Sequence, residues 1–178
     1  MTTGHVFIGT SLDGFIARRN HDIAWLTDYP TQGEDHGFAA HMAGVDAVVM
    51  GRGTYATIKD MRPWPYDKPV VVLSRSLAQT DVPAELADKV EIMQASPAVA
   101  MDRFAGRGWT RVYVDGGNVI QSFLRAGLIE DLVISRIPVL IGEGISLFGA
   151  LDADVALEHL HSKAFDSGLV QSTYRVKR

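Results

Sequence analysis

Val112-Tyr113-Val114-Asp115-Gly116-Gly117-Asn118-Val119-Ile120 is an apolar run that breaks at a Gly-Gly pair and resumes with helical spacing. Met50-Gly51-Arg52-Gly53-Thr54-Tyr55 repeats the pattern after the apolar run Ala47-Val48-Val49-Met50. A strand that turns through glycine into a helix start leaves backbone N–H groups without intrahelical partners, and such groups suit an anion. Two such bends point to a ligand with several phosphates, hence to a nucleotide cofactor. The Gly-Gly pair permits positive φ where a ligand nears the backbone, and Asn118 is a candidate cap for the helix that follows. The plain alternative is an ordinary tight turn with a solvated arginine at the Gly51 bend, and a turn plus cap with no ligand at the Gly116 bend.

A third run, Val70-Val71-Val72-Leu73-Ser74-Arg75, sharpens the choice of cofactor. Gly51-Arg52-Gly53-Thr54-Tyr55-Ala56 matches a loose form of the dinucleotide fingerprint, although it follows the second expected strand rather than the first. The acid that would hold a ribose 2′-hydroxyl at the end of the next strand is absent. Ser74-Arg75 stands there, and a cation suits a 2′-phosphate. The reading is NADPH rather than NADH.

Outward from these bends the chain alternates between strands and helices. Strands are expected at His5–Gly9, 47–50, Val70–Leu73, Val90–Met93 and 112–114. Helices are expected at Glu34–Met42, Thr54–Met61, Pro97–Phe104 and Asn118–Ala126, with Ser96 as a cap and Gly127 as a stop. Arg18 to Gly33 reads as a polar loop. The last third, Asp131–Ile141, Val155–His161 and Leu169–Val176, is strand without helix, so an antiparallel extension is expected. The fold class is α/β, one domain over 1–178, with a parallel centre and an antiparallel C-terminal edge.

Composition narrows the function. The 178 residues are 47% hydrophobic with a net charge of −4, and the cations are scattered, which argues against a nucleic-acid surface. Cysteine is absent, which excludes thiolate chemistry and cysteine metal sites. No apolar run approaches the ~20 residues of a membrane helix, and no signal peptide is read. A cytoplasmic protein with a small-molecule substrate is expected. His159 and His161 would share one strand face, but without a third ligand no metal site is assigned. No serine sits in a nucleophile elbow. Asp13, in Ser11-Leu12-Asp13-Gly14-Phe15, is a candidate active-site carboxylate or an Asx-type turn. Trp25 is a candidate stacking platform for a flat heterocycle or a loop anchor.

The ordered set Ser11-Leu12-Asp13-Gly14-Phe15-Ile16-Ala17, Met50–Tyr55, 72–75, Asp115-Gly116-Gly117 and Pro138–Phe148 resembles a known family. It is similar to the dihydrofolate-reductase-like proteins related to the reductase domain of the bifunctional riboflavin-biosynthesis deaminase–reductase. The resemblance runs from His5 to Val176 and implies a mixed sheet of about eight strands with flanking helices. It implies that Gly51, Arg52 and Thr54 meet the cofactor phosphates, and that Leu73, Ser74 and Arg75 flank the 2′-phosphate. Gly116, Gly117, Asn118, Val119 and Ile120 would line the pyrophosphate and nicotinamide side. Gly9, Thr10, Ile16 and Ala17 would border the nicotinamide, with Trp25 and Tyr55 toward the substrate. Riboflavin-type relatives also imply a homodimer.

Two departures stand out. Phe15 occupies the place of a lysine that holds a ribose-phosphate substrate, and Asp28 is the candidate stand-in for the acid of dihydrofolate reductase. The zinc-binding deaminase signature is absent, as in the family's stand-alone members. The expected chemistry is hydride transfer from NADPH to a C=N or C=O bond of a small heterocyclic or ribosylamino-pyrimidine-like substrate. The proton comes from Asp13, Asp28 or ordered water. The rival reading is a catalytically silent, ligand-binding homodimer on the same scaffold.

Overall fold

Each apolar run becomes a strand of one sheet. The computed structural model describes residues 1–31 and 33–177. Its strands are β1 (Thr3–Ser11), β2 (Phe15–Ala17), β3 (Ala47–Gly51), β4 (Val70–Leu73), β5 (Val90–Met93), β6 (Arg111–Asp115), β7 (Ile129–Ile137), β8 (Ile145–Ser146), β9 (Leu157–Ala164) and β10 (Val170–Val176). Helices are α1 (Ala24–Thr27), α2 (Phe38–Ala43), α3 (Arg52–Ile58), α4 (Pro97–Gly106) and α5 (Gly117–Arg125). The eight-stranded sheet has the order β5-β4-β3-β6-β1-β7-β10-β9. The first six are mutually parallel, β10 is antiparallel to β7, and β9 is antiparallel to β10. β2 and β8 form a separate two-stranded ribbon.

The winding reverses between β3 and β6. From β3 the chain moves through α3 to β4 and the β5 edge; from β6 it moves the other way, through α5 to β7. The two helices leave on opposite faces. Val119, Ile120 and Phe123 of α5 pack with Val49 and Val114 in one core cluster, while Tyr55 and Ile58 of α3 pack with Val48 and Met50 in the other. Neighbouring strands whose crossovers diverge leave a crevice at their carboxyl ends, where open α/β sheets bind ligands. Val48, Val49 and Met50 have no exposed surface, as a doubly covered central strand requires.

Local chemistry sets the helix ends, and here several expectations shift. Ser96 accepts a hydrogen bond from the Val99 amide and Pro97 opens α4, as expected. Gly127, at φ 66°, closes α5: its N–H bonds Leu124 O and the Leu128 N–H bonds Phe123 O. Asn118 is not the cap of α5. Gly116 holds that place with no side-chain hydrogen bond, and Asn118 lies exposed in the first turn. The helix expected over Glu34–Met42 begins only at Phe38, because the Asp35 carboxylate binds the Gly37 and Ala39 amides and Gly37 adopts φ 86°. The helix expected over Thr54–Met61 starts earlier and ends at Ile58.

The expected polar loop contains α1, which carries Trp25. The strand expected over Asp131–Ile141 ends at Ile137, before Pro138, which has no N–H for the ladder. The strand expected over Val155–His161 runs Leu157–Ala164. His159 and His161 do not share a face: a register shift pairs them with Tyr174 and Thr173, adjacent residues of β10.

Candidate active site

The two glycine bends meet. Gly116 adopts φ 89° and ψ 136°, and a Cβ placed there would overlap Thr54 Oγ1. A Cβ on Gly51 would come to 3.1 Å from Val119 Cγ2, and one on Gly117 to 2.8 Å from Ser146 O and 3.1 Å from Ile16 Cδ1. A Cβ on Gly9 would sit 2.8 Å from Leu26 Cδ1, beside Trp25 in α1. The carboxyl edge of β1, β3 and β6 therefore gathers Gly9, Ile16, Gly51, Thr54, Gly116, Gly117 and Val119. Ala17 joins through the β2–β8 ribbon, where its carbonyl lies against Gly144. Thr10 is buried at the end of β1.

Other expected residues are placed less directly. Ile120 is wholly buried in the core under α5, so it supports the bend rather than lining it. Tyr55 is also turned into the core, among Val48, Met50 and Val72, and this corrects its expected substrate-facing role. Leu73 packs at the edge of the first core cluster. The Ser74 hydroxyl accepts the Ser76 and Leu77 amides, which makes a turn that holds Arg75 outward. Arg52 and Arg75 are exposed and form no ion pair among the described residues. With the side-chain-free start of α5 they are the local attraction for an anion.

The two expected carboxylates differ from that picture. Asp13 accepts the Gly142 amide at 2.8 Å and the Ile141 amide at 3.3 Å, tying the loop after β7 to the turn after β1. The Ser11 hydroxyl and those amides hold its carboxyl below the usual carboxylate range, which favours an ionised loop clasp over a proton donor. Asp28 is exposed at the end of α1, where Thr27 Oγ1 lies at 3.4 Å. Trp25 is half-buried, and its buried Nε1 has no partner among the described residues.

One acid in this region was read only as backbone. Asp115 ends β6, and strand alternation puts its side chain on the same face as Tyr113. Tyr66 donates its hydroxyl to Asp115 Oδ2 at 3.1 Å. Burial pushes the Asp115 carboxyl up, while the Tyr66 hydroxyl, the Gly116 amide and the Tyr113 hydroxyl pull against it. Burial also pushes both tyrosines well above their ordinary range. Around them runs an aromatic wall. Ring centroids lie 5.8 Å apart for Trp64–Tyr66, 6.4 Å for Tyr66–Tyr113, 4.8 Å for His41–Tyr113 and 5.8 Å for Phe7–Phe38. The sequence signal for Asp115 was an acid closing an otherwise apolar strand. Tyr66 gave none, because it sits in a proline-broken segment. Two surface hollows, beside Ile129 and Val176 and beside Val70 and Trp109, lie at the amino ends of the parallel strands, away from this edge.

Known proteins share this fold. The model of the RibD C-terminal domain matches residues 3–171. The chain belongs to the RibD C-terminal domain family. Within and around that family it is 30% identical over 164 residues, 90% of each chain, to the uncharacterised protein YwjB of Bacillus subtilis. It is 38% identical, at a TM-score of 0.91 over 99% of this chain and 100% of the other, to a Shewanella sp. PV-4 protein named for riboflavin biosynthesis. Two more distant structures share the fold. The Thermotoga maritima deaminase/5-amino-6-(5-phosphoribosylamino)uracil reductase has a TM-score of 0.77 at 14% identity, over 99% of this chain and 57% of that one. Enterococcus faecalis dihydrofolate reductase, complexed with NADP(H), has 0.67 at 17% identity, over 99% and 97%. The fold of this chain is thus shared with both of these proteins. No helix among the described residues is long and apolar enough to cross a membrane.

Proposed function

We propose that this chain is an NADPH-dependent reductase that transfers hydride to a C=N or C=O bond of a small heterocyclic or ribosylamino-pyrimidine-like substrate. One observation carries the reading: the bends at Gly51 and Gly116 touch across the crevice where α3 and α5 diverge. A dinucleotide needs two such anchoring points close together. The free start of α5 and the unpaired guanidinium groups of Arg52 and Arg75 fit its phosphates. Gly9, Thr10, Ile16 and Ala17, on the other side of the crevice, would border its nicotinamide. Bound there, the cofactor supplies the hydride. This chain's residues place it and shield the reacting end from water.

Support also comes from outside the chain: a neighbour of the same fold is complexed with NADP(H), and another is named as a reductase. The reading carries with it a cytoplasmic setting and a homodimer. The eight residues of β9 are all exposed at the sheet's outer edge, with Leu157 and Leu160 among them, and an edge strand with free backbone groups favours pairing with a second copy. The test is titration of the protein with NADPH and NADH followed by fluorescence, then NADPH oxidation over pterins, quinones and ribosylamino-pyrimidines. Preference for NADPH with turnover of one class is expected. Binding without turnover would favour the silent ligand-binding alternative, and no binding would end the reductase reading.

A further inference from the structure

The reductase reading leaves a chemical gap. Reducing a C=N or C=O bond requires a proton on the heteroatom as well as hydride on the carbon. Asp13 is ionised and committed to two loop amides. Asp28 lies exposed at the end of a single-turn helix. We propose that Asp115, held between Tyr66 and Tyr113 at the end of β6, is the acid that supplies this proton.

Position is the first argument. Asp115 immediately precedes the Gly116-Gly117 bend, so it lies at the crevice itself. Its side chain leaves the sheet on the face opposite α5, toward Phe7, Phe38 and Trp64, which are partly exposed aromatic surfaces suited to a flat heterocycle. The residue keeps some exposed surface at the crevice, while its carboxyl is buried against Tyr66.

Surroundings are the second argument. The groups against the carboxyl are neutral: Tyr66 from the segment after α3, Tyr113 on β6 and the Gly116 amide. His41 of α2 stands behind Tyr113, and its own burial keeps it uncharged near neutral pH, with a pKa lowered to about 4. Tyr113 donates its hydroxyl to the Phe7 carbonyl at 2.7 Å, which fixes the ring beside Asp115. A carboxyl among neutral groups in a partly dry site keeps its proton to a higher pH than one in water. When it acts, its O–H bond breaks and an N–H or O–H bond forms on the acceptor atom. The resulting carboxylate is held by the Tyr66 hydroxyl and the Gly116 amide, and solvent restores the proton.

The inference rests on the reductase reading, and its test needs no substrate. The full chain, carrying 13Cγ-labelled aspartate, is titrated by NMR alone, with NADPH and with NADP+. The Asp115 signal is assigned by through-bond correlation to its own backbone and by its absence from D115N. In the free protein its midpoint is expected above the ordinary carboxylate range. The oxidised ring carries a positive charge, and a unit charge about 10 Å away at an effective dielectric of about 20 shifts a pKa by about one unit. The midpoint with NADP+ is therefore expected about one unit below that with NADPH. An ordinary or lowered midpoint in the free protein overturns the proposal, and so does the same midpoint in both complexes. If fluorescence shows that neither cofactor binds, the reductase reading falls and takes this proposal with it. Cofactor binding with an unmoved Asp115 overturns the proposal alone.

Discussion

Replacing Gly116 with alanine tests the contact on which the site depends. Gly116 sits at φ 89° and ψ 136°, a region an L-residue enters at a cost of about 1–3 kcal/mol. The new methyl would also overlap Thr54 Oγ1, on a β-branched side chain at the start of α3. Turning Thr54 away from its rotamer adds about 0.5–1.5 kcal/mol. The expected loss of stability is about 1.5–4.5 kcal/mol, read as a lower urea midpoint with an unchanged slope. A double variant with Thr54→Ala separates the two parts. It should recover the rotamer portion, about 0.5–1.5 kcal/mol as a coupling energy, and leave the backbone strain. NADPH affinity should fall in Gly116→Ala under conditions where the fold is intact. A Gly116→Ala protein within about 0.5 kcal/mol of the parent would refute the argument, since that is the range of an unconstrained surface position. Zero coupling to Thr54 would show that the two bends do not touch.

Three other outcomes are expected. Arg75→Ala should weaken NADPH by about 1.5–3 kcal/mol, the worth of a charged hydrogen bond to phosphate, and leave NADH nearly unchanged; equal losses in a titration of both would remove the 2′-phosphate contact. His41 is held down to about pKa 4, mainly by burial, with Asp131 pulling the other way, against an ordinary value of 6.5. The unfolded chain therefore takes up a proton that the fold refuses: the contribution of His41 is present above pH 6.5 and is lost as pH falls toward 4. After discounting for its partial exposure the loss is about 2–3 kcal/mol, and His41→Phe should flatten the urea midpoint over that window. Leu160→Lys on β9 should convert a dimer to a monomer in sedimentation velocity, and a monomeric parent protein would dispose of the pairing.

Phe15, Asn118 and Tyr55 depart from their motifs for different physical reasons. The departure at Phe15 has a structural counterpart: Phe15 pairs with Ser146 in the β2–β8 ribbon, which packs toward Gly117, so that position here builds the wall of the crevice. Asparagine is a favoured N-cap residue, so the sequence offers Asn118 as the cap. The positive φ of Gly116 starts the helix one residue sooner and leaves Asn118 in its first turn. Tyr55 lies in the motif yet faces the core, because the first turn of α3 points every third or fourth side chain at the sheet.

By itself the sequence determined the strands and the bends. Short, valine-rich apolar runs flanked by turn residues suit strands covered on both faces, and glycine is the residue that lets a strand turn sharply into a helix. It also placed Arg52 in the first bend and Arg75 just past the end of β4, since strand ends and the residues after them are adjacent in the chain. What only the tertiary structure decided was neighbourhood. Insertion of β6 between β3 and β1 put Gly116 against Thr54, residues 62 positions apart, and no local pattern encodes that strand order. The same insertion brought Tyr66 from a proline-broken loop onto Asp115 and so gave an ordinary acid its unusual surroundings. A side chain's protonation depends on what packs around it, and packing is settled only when distant segments meet.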